Sequence, residues 1–160
     1  MVDVRGLKKD DPGDLILLSR AFFEEYEGYD VDFFRLDTLT DEEIVAYFLG
    51  FLEKDDHAAF VADREGRIVG CIAVNVQTQP AYWEIRRVGH ISGLMVEQEV
   101  RREGIGTQLF ERARRYFQEQ GVRYYTVYTA VRNEGAIAFY EARGMEPLYS
   151  HLVGDASGDT

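Results

Sequence analysis

The chain has 160 residues, a net charge of −11 and a hydrophobic content of 46%. That content is too high for a disordered chain, and the acid excess argues against a protein that grips nucleic-acid phosphates. A lone cysteine, Cys71, excludes an intrachain disulfide and a cysteine-rich zinc site.

His57, His90 and His151 lie too far apart for a paired-histidine metal motif, so no metal is expected. The N-terminus lacks an apolar signal core, and no run approaches the roughly 18 apolar residues of a membrane span. The expectation is a cytoplasmic protein without membrane or nucleic-acid partners. The length suits one domain, 1–153, with a fraying Gly/Ser/Asp tail at 154–160.

Residues 2–5 alternate like a short strand. Asp11-Pro12 reads as a helix start, followed by Leu15, Leu18, Phe22 and Tyr26 at helical spacing, with Gly28 as the stop. Thr40-Asp41-Glu42-Glu43 is a capping-box pattern opening a second amphipathic helix. Between and around these helices, residues 24–43 hold nine acids against one base, Arg35. A solvated face is the plain reading of such a run; a cationic partner is the functional one.

Residues 58–62 and 67–76 are β-rich runs flanking a Gly-containing turn, hence a hairpin, with Cys71 as a buried thiol. Residues 90–96 read as a further strand; a regular one would place His90, Ser92, Leu94 and Val96 on one face. Helices follow at 104–120 and, behind an Asn133 cap, at 133–143, with a strand at 122–129 between them. Residues 145–153 are expected to add a last strand or hairpin. The order β, α, α, β, β, β, α, β, α, β describes a mixed α/β (α+β) domain. Its expected sheet has 6–7 mostly antiparallel strands flanked by about four helices.

One stretch carries chemistry. After the strand at Leu94-Met95-Val96 come Arg101-Arg102-Glu103-Gly104-Ile105-Gly106-Thr107. A helix that opens on two glycines exposes unpaired amides at the positive end of its dipole, and the arginines add charge: a seat for phosphate. It is not a P-loop, since Gly106 is followed by Thr107-Gln108. Nor is it the dinucleotide fingerprint, since position 109 is Leu. Tight helix–strand packing would explain an isolated match equally well.

A second motif narrows the choice. Leu94-x-Val96 followed by Arg101-x-x-Gly104-x-Gly106, and then Asn133-x-x-Ala136-x-x-Phe139-Tyr140-x-x-x-Gly144-Met145, resemble the two signatures of the GNAT superfamily of acetyl-CoA-dependent N-acetyltransferases. Met145 replaces the usual aromatic, and Gln98 a frequent proline. The resemblance spans nearly the whole chain.

It implies acetyl-CoA as co-substrate. The pyrophosphate would lie on the turn of Arg101, Arg102, Glu103, Gly104, Ile105, Gly106 and Thr107, and the pantetheine arm would pair along Leu94, Met95 and Val96. Asn133 and Ala136 would lie near the arm. An amide near Val96 would polarise the thioester, and Tyr140 would be the acid that protonates the departing thiolate. Arg143 is a candidate phosphate partner or an exposed helix arginine. His90 and Glu84 are the candidate bases for the acceptor, with a surface role as the plain alternative for each.

The same resemblance places the acidic segment on the acceptor wall, which would suit a cationic amine, small molecule or peptide. Two classes stay open: an acyltransferase, or a non-catalytic CoA-binding sensor. A homodimer is also left open.

Overall fold

The computed structural model describes residues 1–29 and 31–158. Asp30 of the acidic segment and the end of the tail therefore lie outside the described residues. The chain forms two compact units, Met1–Tyr128 and Thr129–Thr160.

The first unit is built on a five-stranded sheet in the order β1-β2-β3-β4-β5: β1 Asp3–Gly6, β2 His57–Arg64, β3 Arg67–Thr78, β4 Arg87–Val96 and β5 Tyr125–Val127. Every pairing is antiparallel except β4 with β5. Helices α1 (Ile16–Glu27) and α2 (Asp41–Glu53) precede β2, and α3 (Ile105–Glu119) crosses from β4 to β5. A parallel pair requires such a crossover.

Alternation divides the sheet's two faces. Ala59, Val61, Cys71 and Ala73 share a core with Leu15, Leu18, Ile44, Phe48 and Phe51, on the α1/α2 side. Phe60 and Tyr125 face α3, where their rings meet Tyr116, Phe110 and Phe117. Burial pushes the Cys71 thiol up to about 12, so it remains a protonated core group.

The α2 capping box forms as expected: Thr40 Oγ1 accepts from Glu43 N at 3.1 Å, and the Glu43 carboxylate accepts from Thr40 N at 3.1 Å. Asp11 differs from expectation. A 3-10 turn at Pro12–Leu15 leads into α1, and the Asp11 side chain does not cap it. Its carboxylate instead accepts from Lys8 N at 2.6 Å and from Arg5 at 2.7 Å, and Arg5 holds its pKa below the usual range.

The second unit contains α4 (Glu134–Glu141), capped by Asn133 Oδ1, which accepts from Ala136 N at 3.1 Å. The expected strand or hairpin at 145–153 does not form, so the described sheet has five strands rather than 6–7. Pro147 lacks the ladder donor, and residues 146–153 are all exposed, with no apolar face covered to fix a register.

Gly89 shows how closely α3 sits on the sheet. A Cβ there would fall 2.5 Å from the Phe117 ring. Gly89→Ala is therefore expected to cost about 1–3 kcal/mol through overpacking, read by urea denaturation. Adding Phe117→Leu should recover part of that loss.

Candidate active site

Two departures from regularity in β4 create the site. The first is a bulge. Val74 pairs with Ile91, but Ala73 pairs with Gly93, so Ser92 is the extra residue. Beyond it the faces exchange. His90 shares a face with Asn75, and Met95 with Cys71, while Leu94 and Val96 pair with Ile72 and Gly70 on the α3 face. The expected common face for His90, Ser92, Leu94 and Val96 is thus corrected: His90 looks toward α1 and α2, and Leu94 and Val96 look the other way.

The second departure is that β5 pairs with β4 only over Gly89–Ile91. From Ser92 onward, among the described residues, β4 has no strand partner on that side. The direction of its backbone groups follows from one hydrogen bond. Glu97 N donates to Val69 O at 2.9 Å, which makes Glu97/Val69 a hydrogen-bonded pair. Antiparallel pairs alternate, so Met95 and Gly93 also bond β3, and Leu94 and Val96 turn their N–H and C=O groups to the bare edge. The Val96 carbonyl confirms this, since it accepts from Arg101 Nε at 3.1 Å. Arg101 Nη2 also donates to Glu25 of α1 at 3.0 Å, tying that helix to the edge.

The chain then turns into α3 through two left-handed residues, Arg102 (φ 71°) and Gly104 (φ 82°). Gly104 is the N-cap residue and offers no side chain, and the first intrahelical bond runs from Gln108 N to Gly104 O at 3.1 Å. The amides of Ile105, Gly106 and Thr107 precede it and stand at the positive end of a 15-residue helix. Arg64 meets Glu103 at 3.1 Å beside this turn. An extended ligand with a phosphate at one end and amides along its length matches this edge followed by this helix start.

His90 is buried rather than a surface residue. Its Nδ1 shares a hydrogen bond with Thr126 Oγ1 at 3.0 Å, its ring lies 5.0 Å from that of Tyr128, and burial lowers its pKa. It is therefore a neutral imidazole at pH 7, able to accept a proton. Glu84 lies in the exposed turn between β3 and β4, at the end of β4 away from Val96.

Tyr140, Asn133 and Ala136 belong to the second unit. Tyr140 is buried on α4, with its ring 5.3 Å from Phe139. Arg143 lies over the Phe139 ring at 3.6 Å and donates to Phe139 O at 2.8 Å.

The acidic segment is partly occupied by its own fold. Arg20 pairs with Asp41, Arg35 pairs with Asp32 at 2.7 Å, and Glu27 accepts from Leu36 N at 3.3 Å. Aromatic rings are interleaved with it: Tyr26 meets Tyr29 at 5.7 Å and Phe34 at 5.0 Å.

Sequence reasoning did not single out Asn75, Tyr47 and Thr126. Asn75 had a signal, a polar residue between Val74 and Val76 in an apolar run.

The model of the acetyltransferase (GNAT) family matches residues 18–145. An uncharacterized N-acetyltransferase of Methanocaldococcus jannaschii is 30% identical over 147 residues, 89% of this chain. The chain spans 60% of that relative's length. Another, from Archaeoglobus fulgidus, is 29% identical over 145 residues, 90% of this chain and 92% of the relative. An aminoglycoside N-acetyltransferase solved in complex with CoA has the same fold: TM-score 0.79 at 18% identity, covering 97% of this chain and 94% of that one.

The α3 start gives a direct test. Wild-type protein is expected to bind inorganic pyrophosphate, and Gly104→Asp to lose that binding with its circular dichroism unchanged. Its carboxylate would occupy the anion seat. Titration calorimetry reads the outcome.

Proposed function

The chain belongs to the GNAT acetyltransferase family, and from that membership we propose that it moves an acetyl group from acetyl-CoA to a cationic primary amine by direct attack in a ternary complex. The observation that carries this reading is the bare edge of β4 at Leu94 and Val96, running directly into the start of α3.

In this reading the pantetheine amides pair with that edge as an added strand, and Met95 lies between the two pairing residues. The pyrophosphate takes the amides of Ile105, Gly106 and Thr107, with Arg101 and Arg102 supplying charge and Glu103 and Gly104 shaping the turn. Val96 is nearest the α3 start and meets the arm first, so the edge amide that donates to the thioester oxygen, where negative charge develops during attack, is that of Leu94 rather than Val96. The amine nitrogen forms the new C–N bond, and the C–S bond breaks. Tyr140 gives its proton to the departing thiolate, and Asn133 and Ala136 serve the pantetheine arm. His90, neutral and on the α1/α2 side, takes the proton that the nitrogen loses; its burial on β4 favours it over Glu84. The proposal takes 1–153 as the single acetyltransferase domain.

The cationic choice rests on the acids of α1 and on the rings of Tyr26, Tyr29 and Phe34, because carboxylates and aromatic faces both attract ammonium groups. Since Glu25 of α1, and Asp32 and Asp41 beyond it, already have arginine partners, the effect is spread over the segment.

The test is thiol release from acetyl-CoA with a panel of cationic, neutral and anionic amines. Turnover is expected to be best with a cationic amine, and its KM to rise with salt, which screens exposed charges over about 10 Å at 0.1 M. Tyr140→Phe should lower kcat about 10- to 1,000-fold with little change in CoA affinity. CoA binding without thiol release for any amine would make the chain a sensor module instead.

A further inference from the structure

Asn75 and Ser92 form a polar pair that the reaction above does not use. Asn75 is buried in the middle of β3, between Val74 and Val76. Burying an amide among apolar neighbours is unfavourable unless it is hydrogen-bonded. Here Asn75 Nδ2 donates to Ser92 Oγ at 2.8 Å. Ser92 is the bulge residue of β4, located where β5 stops pairing. Bulges re-aim side chains, and this one sends Ser92 to the face that carries Asn75 and His90.

On the same face Asn75 pairs directly with His57 on one side and His90 on the other, and His90 with Thr126. A polar row thus crosses four strands beside an otherwise apolar core. Tyr47 of α2 lies beside Ser92, and desolvation raises its phenol pKa. Asn75 is buried, whereas Ser92 is only half-buried, so a ligand reaches Ser92 and not Asn75.

We propose that Ser92 seats the acceptor amine, with Asn75 as the positioning residue that fixes its hydroxyl. This rests on the acetyltransferase reading. A serine hydroxyl has one donor and two acceptor sites. Asn75 occupies one acceptor site. The remaining lone pair receives one N–H of the amine, which attacks as its free base after its ammonium proton has gone to solvent, and so sets the direction of the nitrogen's own lone pair. After the C–N bond forms, His90, beside Ser92 on the same face, receives the proton that the nitrogen sheds.

Steady-state kinetics on the full chain test this, beginning with wild-type thiol release. Ser92→Ala is expected to lower kcat/KM for the amine about 3- to 10-fold, the worth of one neutral hydrogen bond, and to leave KM for acetyl-CoA unchanged. Ser92→Thr should recover most of the loss. Asn75→Ala should show the same split, and the double variant should lose no more than Ser92→Ala alone, because Asn75 acts through Ser92. Wild-type amine kinetics in Ser92→Ala overturn the proposal, as do strictly additive losses in the double variant. If Asn75→Ala does not fold, Ser92→Ala and Ser92→Thr decide alone. Absence of thiol release from wild type with every amine overturns the acetyltransferase reading and this proposal with it; normal wild-type turnover with an unaffected Ser92→Ala overturns only this one.

Discussion

The site depends on β4 losing one of its two neighbours. Over Gly89–Ile91 the strand is paired on both sides; from Ser92 onward, among the described residues, β3 is its one strand partner. A strand edge with unpaired amides and carbonyls binds other backbone-like chains, and proteins ordinarily cover or blunt such edges. Here Arg101 covers one position by donating to Val96 O, while its other end holds Glu25. Topology places the start of α3 next to this edge. Because β4 and β5 are parallel, a helix must cross between them, and its N-terminus has to lie beyond the C-terminal end of β4. An unpaired strand edge and a helix start with free amide geometry for an anion, the two parts the proposed reading uses, are therefore consecutive by construction.

The bulge at Ser92 adds a division of labour. By reversing the side-chain alternation, it sends Leu94 and Val96 to the α3 face and keeps His90, Ser92 and Asn75 on the α1/α2 face. In the proposed reading the donor's backbone contacts lie along the edge of the strand, and the acceptor chemistry on one face of it. A regular strand would have placed His90 and Leu94 side chains on the same side. The lowered pKa of His90 follows from its position, since burial disfavours the charged ring and keeps it neutral near pH 7.

Much of the architecture was legible because strong local signals agreed with the fold: the Thr40 capping box, the glycines at 104 and 106, the Asn133 cap and the apolar stripe of α3. The element order matches except at its end. The strand expected at 145–153 fails because Pro147 and uncovered apolar side chains leave nothing to pair or bury. The bulge was not legible, because one extra residue in an apolar run changes no composition and barely changes periodicity, yet it reverses every later side chain. The arginine partners of Glu25, Asp32 and Asp41 were equally hidden. Arg101 is 76 residues from Glu25, and only the folded chain brings them together. Asn75 was visible as an anomaly, but its purpose required knowing that Ser92 is the bulged residue.

Amide hydrogen exchange along β4, read residue by residue by NMR, tests the central claim most directly. If acetyl-CoA adds itself to the bare edge, the Leu94 and Val96 amides gain protection when it is added, while Gly93 and Met95, already bonded to β3, gain none. Tight binding of acetyl-CoA with no added protection at Leu94 and Val96, or with equal gains at all four, would contradict the account.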